Sequence, residues 1–260
     1  MDPAVAAIPL GIVIGMVVGA VGGGGAILAL PVLVYVLGER VGPASTASLI
    51  VVAIAAGIGA GALALRGHVC WRIALTFFVP AAAGSVLGTI GNHAVGAKAL
   101  ILAFVPVMLV AAAATWERAG HTTSDETGQC PDVRPSQIIV AGVGVGALTG
   151  FFGVGGGFLI VPVLTLWLGF SFRRAVATSL VIITLTGVVA LASHLAVGSA
   201  INVSVTLALS AATAAGALLG TILAQRMPQA VLGRAFALVV GALGVFLLLD
   251  TLLLGGPPGG

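Results

Sequence analysis

Apolar residues run along this chain in blocks of about 20 or more, without strict alternation, at 8–37, 44–65, 71–91, 97–116, 138–168, 175–196, 201–224 and 230–253. A helix rises about 1.5 Å per residue, so a block of that length matches a hydrocarbon core about 30 Å thick. Barrel strands would be shorter and would alternate polar with apolar positions. The pattern therefore predicts an all-α integral membrane protein. One polar stretch divides it. Residues 117–137 carry Glu117, Arg118, Asp125, Glu126, Asp132 and Arg134 with Pro131 and Pro135, and read as a linker between two halves. The Gly-Gly-Pro-Pro-Gly-Gly end, 255–260, reads as a disordered tail.

The two longest blocks, 8–37 and 138–168, are each broken by glycines: Gly22-Gly23-Gly24-Gly25 and Gly153-Val154-Gly155-Gly156-Gly157. The breaks correspond. Gly15/Gly146, Gly19/Gly150, Gly22/Gly153, Gly24/Gly155, Gly25/Gly156, Pro31/Pro162, Ala44/Ala175 and Ser48/Ser179 all keep an offset of 131 residues. Gly88-Thr89-Ile90 and Phe104 return as Gly220-Thr221-Ile222 and Phe236 at an offset of 132. The chain is thus read as a first repeat over 1–116, a linker over 117–137 and a second repeat over 138–254. Internal duplication of this kind is a common build of secondary transporters, which place substrate at the repeat interface.

Charge decides between two topologies. If each broken block crosses the membrane once, the ten Lys and Arg divide 6 to 4 between the faces. If each instead enters and returns as a re-entrant hairpin, the second half is inverted and the division becomes 8 to 2, with Arg66, Arg72, Arg118, Arg134, Arg173, Arg174, Arg226 and Arg234 together. The positive-inside rule favours the second arrangement. Each hairpin arm, at about 13 residues, is expected to reach only roughly 20 Å. The sequence reading is two inverted repeats, each a broken hairpin plus three transmembrane helices, in the inner membrane. Both termini are placed outside and the linker in the cytoplasm.

Composition agrees and excludes several functions. Hydrophobic residues make up 60% of the chain and charged residues 7%, and the mean hydropathy is +1.26. That lies far outside the soluble globular range. No run of basic residues points to nucleic acid. Cys70 and Cys130 form no CxxC or Cys/His cluster and read as incidental thiols, with no metal site or cofactor expected. Gly142-Val143-Gly144-Val145-Gly146-Ala147 fits a dinucleotide fingerprint in letters only, because it lies in an apolar span with no acid about 20 residues on. No acid is placed in the membrane to orient a histidine for hydrolysis, so no enzymatic activity is expected.

The glycine breaks carry the functional reading. Irregular backbone at membrane depth is tolerated where protein or a wet cavity supplies partners. Glycine adopts positive φ and lets a ligand approach the main chain. Half-helices starting near Gly25 and Gly156 would aim free N–H groups and partial positive charge at the breaks. Candidate substrate-binding residues are Gly23, Gly24, Gly25 and Ser48 in the first half and Gly155, Gly156, Gly157, Thr178 and Ser179 in the second; hydroxyls donate to an oxyanion without a competing charge. Gly11, Gly15 and Gly19, with Gly142, Gly146 and Gly150, read instead as close-packing positions. With no acid assigned to a span, proton coupling would fall to His194 or to the substrate itself; sodium is the other candidate. A channel for anions or water, lined by the glycine-rich hairpins, is the alternative.

The paired motifs Gly19-Ala20-Val21-Gly22-Gly23-Gly24-Gly25…Pro31 and Gly150-Phe151-Phe152-Gly153-Val154-Gly155-Gly156-Gly157…Pro162, followed by Ala47-Ser48-Leu49 and Ala177-Thr178-Ser179-Leu180, resemble the sulfite exporter TauE/SafE family, also called the toluene sulfonate uptake permease superfamily. The first motif departs from the second at Gly23, where the second has Val154, and at Ala26, where it has Gly157. The resemblance implies transport of sulfur-containing anions such as sulfite, sulfoacetate or other organosulfonates across the lipid bilayer. Direction and oligomeric state are left open.

Overall fold

Runs of Ala, Leu, Val and Ile in a bilayer must satisfy their backbone groups internally, and a helix does so residue by residue. The computed structural model describes residues 3–36, 38, 41–92, 97–119, 130–152, 157–196 and 203–254. Among them every regular element is helical. Helix α1 (Pro3–Val21) ends in a 3-10 turn, Gly22–Gly25, and is followed by α2 (Ala26–Pro31) and a π-helical turn, Val32–Val36. Then come α3 (Val41–Ala64), α4 (Trp71–Asn92) and α5 (Ala97–Ala119). The second half repeats this order: α6 (Pro135–Phe152), α7 (Gly157–Pro162) with the π turn Val163–Trp167, α8 (Phe172–Ala196), α9 (Val203–Arg226), and α10 (Gln229–Leu249) running into the π turn Asp250–Leu254. Seven of these segments are long and apolar enough to cross a membrane.

The arms of the broken blocks are unequal, contrary to the expected 13-residue halves. α1 has 19 residues and α6 has 18, so each reaches nearly 30 Å, while the returning arms are short. The cause lies in packing. Gly11, Gly15 and Gly19 stay helical because α9 lies against them, and Gly142, Gly146 and Gly150 do so against α4. A Cβ at Gly15 would fall on the Thr213 carbonyl, and one at Gly19 on that of Ala217. On the partner helix, Gly216 and Gly220 meet the carbonyls of Ile12 and Met16. The second half repeats the arrangement, with Gly146 on Ala81, Gly150 on Ser85, Gly84 on Val143 and Gly88 on Ala147. Such backbone-to-backbone approach is how helices associate where lipid tails offer no hydrophobic drive.

These contacts fix relative directions. Contact positions rise together along α1 and α9, and along α4 and α6, so each pair runs parallel. Between α3 and α8 they fall as the other rises, Ala53 meeting Gly187, Gly57 meeting Thr184 and Gly59 meeting Leu180, so these two run antiparallel. α5 and α10 do likewise through Ala119 with Gly233, Ala112 with Gly241 and Met108 with Gly244. Each short arm changes pitch at a proline and leaves the helix beyond it, near Gly38 and Gly169, both at positive φ. Pro31 and Pro162 lack the N–H that would continue the ladder, and a wider π turn follows each. In the second, Thr165 Oγ1 donates to the carbonyls of Val161 at 3.0 Å and Pro162 at 3.1 Å. Outward, Val79, Val86, Leu87, Leu219 and Leu223 are more than half exposed, as a lipid-facing surface requires.

Candidate functional site

At the first break α1 ends because Gly22 takes φ +77°, a left-handed conformation that costs a residue with a Cβ roughly 1–2 kcal/mol. The carbonyl of Gly19, near this end, accepts a hydrogen bond from Thr221 Oγ1 of α9 at 3.2 Å. Gly22 and Gly23 are both buried. Beside Gly22 stands Ser179, whose Oγ would lie 2.9 Å from a Cβ placed there, with Val161 and Val176 close by. Gly23 meets the backbone of Gly157, the first residue of α7. Gly157 in turn has the Gly23 Cα 3.2 Å and the Ile183 Cδ1 2.9 Å from where its own Cβ would be. The two interrupted segments therefore touch, and no space for a solute lies between Gly23 and Gly157.

Of the candidate residues, Gly23, Gly157 and Ser179 come together at this contact, with Gly22, which was not among them, beside Ser179. Gly24 and Gly25 complete the 3-10 turn. Ser179 is fully buried and donates to the Val176 carbonyl at 2.9 Å. Thr178, also fully buried, points elsewhere: its Oγ1 accepts the Cys70 N–H at 3.3 Å. Ser48 is half-buried on α3. Gly155 and Gly156 lie outside the described residues, as does the His194 side chain. Aromatic rings bracket the second break. Phe104 of α5 packs on Phe152 before it, with centroids 5.0 Å apart, and on Phe158 after it, at 5.2 Å.

Several polar groups escaped the sequence reading. Arg173 is closer to the first break than its place at a helix start suggests. With Gly19, Ala20, Thr221 and Gln225 it lines a cavity of about 10 Å³, room for a single water. Its guanidinium donates to the carbonyls of Met227 at 3.2 Å and Gln225 at 3.4 Å, while its Nε and Gln225 Nε2 are buried without a hydrogen bond. Thr206 and Ser210, one turn apart on α9, likewise bury hydroxyls without a partner; their Thr-x-x-x-Ser spacing is the signal that could have found them. Asp250 corrects the expectation that no span holds an acid: it is 6% exposed, within the last apolar helical stretch. A larger cavity of about 400 Å³, between α5 and the α7 arm, is lined entirely by apolar residues, among them Val107, Leu159 and Trp167, and suits acyl chains rather than an anion.

Cys70 and Cys130 are not incidental thiols. They form a disulfide across 60 residues of sequence, which joins the chain just ahead of α4 to that just ahead of α6. Sequence spacing concealed it because α4 and α6 start side by side, a consequence of their parallel packing. The Arg174 guanidinium reaches both sulfurs, Cys130 Sγ at 3.6 Å and Cys70 Sγ at 3.9 Å. Among the described residues no group of His, Cys, Asp or Glu is arranged to hold a metal.

Comparison with known proteins bears on this arrangement. Residues 7–247 match the family described as sulfite exporter TauE/SafE. A probable membrane transporter protein of Xylella fastidiosa strain Temecula1 is 32% identical over 245 residues, covering 90% of this chain and 91% of its own. Probable membrane transporter proteins of Bacillus subtilis strain 168 and Methanocaldococcus jannaschii are 28% and 26% identical, each over 93% of this chain and 96% of theirs. No solved structure matches the chain. A duplicated, glycine-interrupted helical membrane protein with this match over nearly its whole length is a multi-pass membrane transporter, and the chain belongs to the sulfite exporter TauE/SafE family.

Proposed function

We propose that the protein is a secondary transporter of small sulfur-containing anions, sulfite, sulfoacetate or other organosulfonates, working by alternating access between two inverted repeats. The observation that carries this reading is the meeting of the two glycine interruptions at Gly23 and Gly157, with the Ser179 hydroxyl against Gly22. Opposite running of α3 and α8, and of α5 and α10, supports the inversion, because these helices are repeat equivalents. Alternating access requires this contact to open: separating Gly23 from Gly157 would expose main-chain amides and hydroxyls to an oxyanion. Arg173, which lines the small cavity beside Gly19 and Ala20, adds a positive charge on the arginine-rich side. Coupling to H⁺ or Na⁺ is part of the proposal.

The test is uptake of labelled sulfite and sulfoacetate into proteoliposomes. Wild type is expected to show saturable uptake and countertransport. Gly23→Leu, which drives a side chain into the Gly157 backbone, is expected to abolish both. Ser179→Ala is expected to raise KM about tenfold, the equivalent of about 1.4 kcal/mol, with little loss of stability, because its present bond closes within α8. Linear, non-saturating flux without countertransport would point to a channel instead.

A further inference from the structure

The directions of the helices put Arg66, Arg72, Arg118, Arg134, Arg173, Arg174, Arg226 and Arg234 at one end of the bundle, together with the Cys70–Cys130 disulfide. By the positive-inside rule that end faces the cytoplasm, where small thiols keep cysteines reduced and a disulfide that forms is typically transient. The two sulfurs differ in their surroundings. Cys70 is 2% exposed, against Ile73 and Ala74 in the core, whereas Cys130 is exposed on the linker. Arg174, itself buried at 6% exposure, holds its charge against both.

We propose that this disulfide is an exchange-active modification site, opened by an anionic sulfur nucleophile that attacks Cys130 Sγ. The nucleophile approaches Cys130, the exposed residue of the pair, from the side opposite Cys70. As its sulfur bonds to Cys130 Sγ, the Cys70–Cys130 bond breaks and its electron pair leaves on Cys70 as thiolate. Arg174 serves both stages: its charge draws an anion to the site, and it stabilises the departing thiolate, which speeds exchange. With sulfite the products are a Cys130 S-sulfonate and a Cys70 thiolate, with no oxidant or reductant consumed. With a small thiolate they are a mixed disulfide on Cys130 and the same Cys70 thiolate, and a second thiolate then releases the adduct as a small disulfide. The Cys70 thiolate attacking the adduct reverses either reaction. Opening the bond frees the linker from Cys70, whose own N–H stays held by Thr178 Oγ1 at the start of α4. The counterpart pair, α1 and α9, carries no cysteine, so the device acts on one face only.

The sulfite arm shares its chemistry with the proposed cargo, but the reaction does not require transport. An exchange-active bond in a protein that moves no sulfite would overturn the transport proposal and leave this one standing. The experiment is intact and peptide mass spectrometry of purified, oxidised, detergent-solubilised protein incubated with sulfite alone or with reduced glutathione alone, and sulfate as a non-nucleophilic control. Expected are an S-sulfonate or glutathione adduct on Cys130, a maleimide-reactive Cys70, and no change with sulfate. The two arms show which source serves. Arg174→Gln is expected to slow the reaction at least about tenfold, and Arg174→Lys to slow it less. If Arg174→Gln does not fold, the site of the adduct still decides. An adduct on Cys70, reaction only after denaturation, or a folded Arg174→Gln that reacts as fast as wild type would overturn the proposal.

Discussion

At the scale of single residues, the glycines divide by what their missing Cβ would meet, and one helix supplies the comparison. On α6, a Cβ at Gly146 would fall on the Ala81 carbonyl, while one at Gly144 meets nothing within 4 Å. Alanine favours a helix over glycine by about 1 kcal/mol, and overpacking a tight contact costs about 1–3 kcal/mol. Gly146→Ala is therefore expected to lower the thermal midpoint in detergent, and Gly144→Ala to leave it unchanged or raise it. Equal effects would show that α4 and α6 do not approach as closely as described. The same reasoning gives Gly22 a different role. Its positive φ ends α1 where Ser179 stands, so its constraint is conformational as well as steric.

At the scale of elements, α3 and α8 hold the two halves together through small residues in opposite directions. A pair Ala53→Cys with Gly187→Cys, in a Cys70→Ser, Cys130→Ser background, is expected to cross-link readily, since the Cβ of one lies 3.0 Å from where the other's would be. Ala53→Cys with Ala177→Cys, displaced by about 15 Å along α8, is expected not to. Much of this was legible in the chain: block lengths gave the spans, and the 131-residue offset between glycines, prolines and Ser48/Ser179 gave the duplication. The long first arms were not, because nothing local in Gly11 to Gly19 announces the α9 backbone that keeps them helical. Nor was the disulfide, whose partners are brought together by the α4–α6 pairing alone. The inward position of Arg173 was hidden for a related reason. A helix-end arginine reads as solvated, yet the carbonyls at the end of α9 turn it inward.

At the scale of the whole molecule, charge and aromatic residues gather at one end. Trp71 begins α4, Trp116 lies in the last turn of α5 with the Arg234 guanidinium 5.7 Å from its ring centroid, and Trp167 ends the second returning arm. Half-exposed tryptophans beside arginines mark a membrane interface, and the arginine excess selects which one. Taking that end as cytoplasmic places both termini outside. Membrane-impermeant maleimide applied to right-side-out and inverted vesicles tests the orientation. Ser171→Cys, and native Cys130 after reduction, are expected to label only from the cytoplasmic side. Gly38→Cys, an exposed position at the opposite end, is expected to label only from outside. Opposite labelling of Ser171→Cys and Cys130 would remove the inverted-repeat arrangement. Labelling of both from outside would keep the repeats and turn the molecule over. The disulfide would then stand in an oxidising compartment as a lasting staple between α4 and α6, and Arg173 would lie toward the outer face of the membrane instead of the inner one.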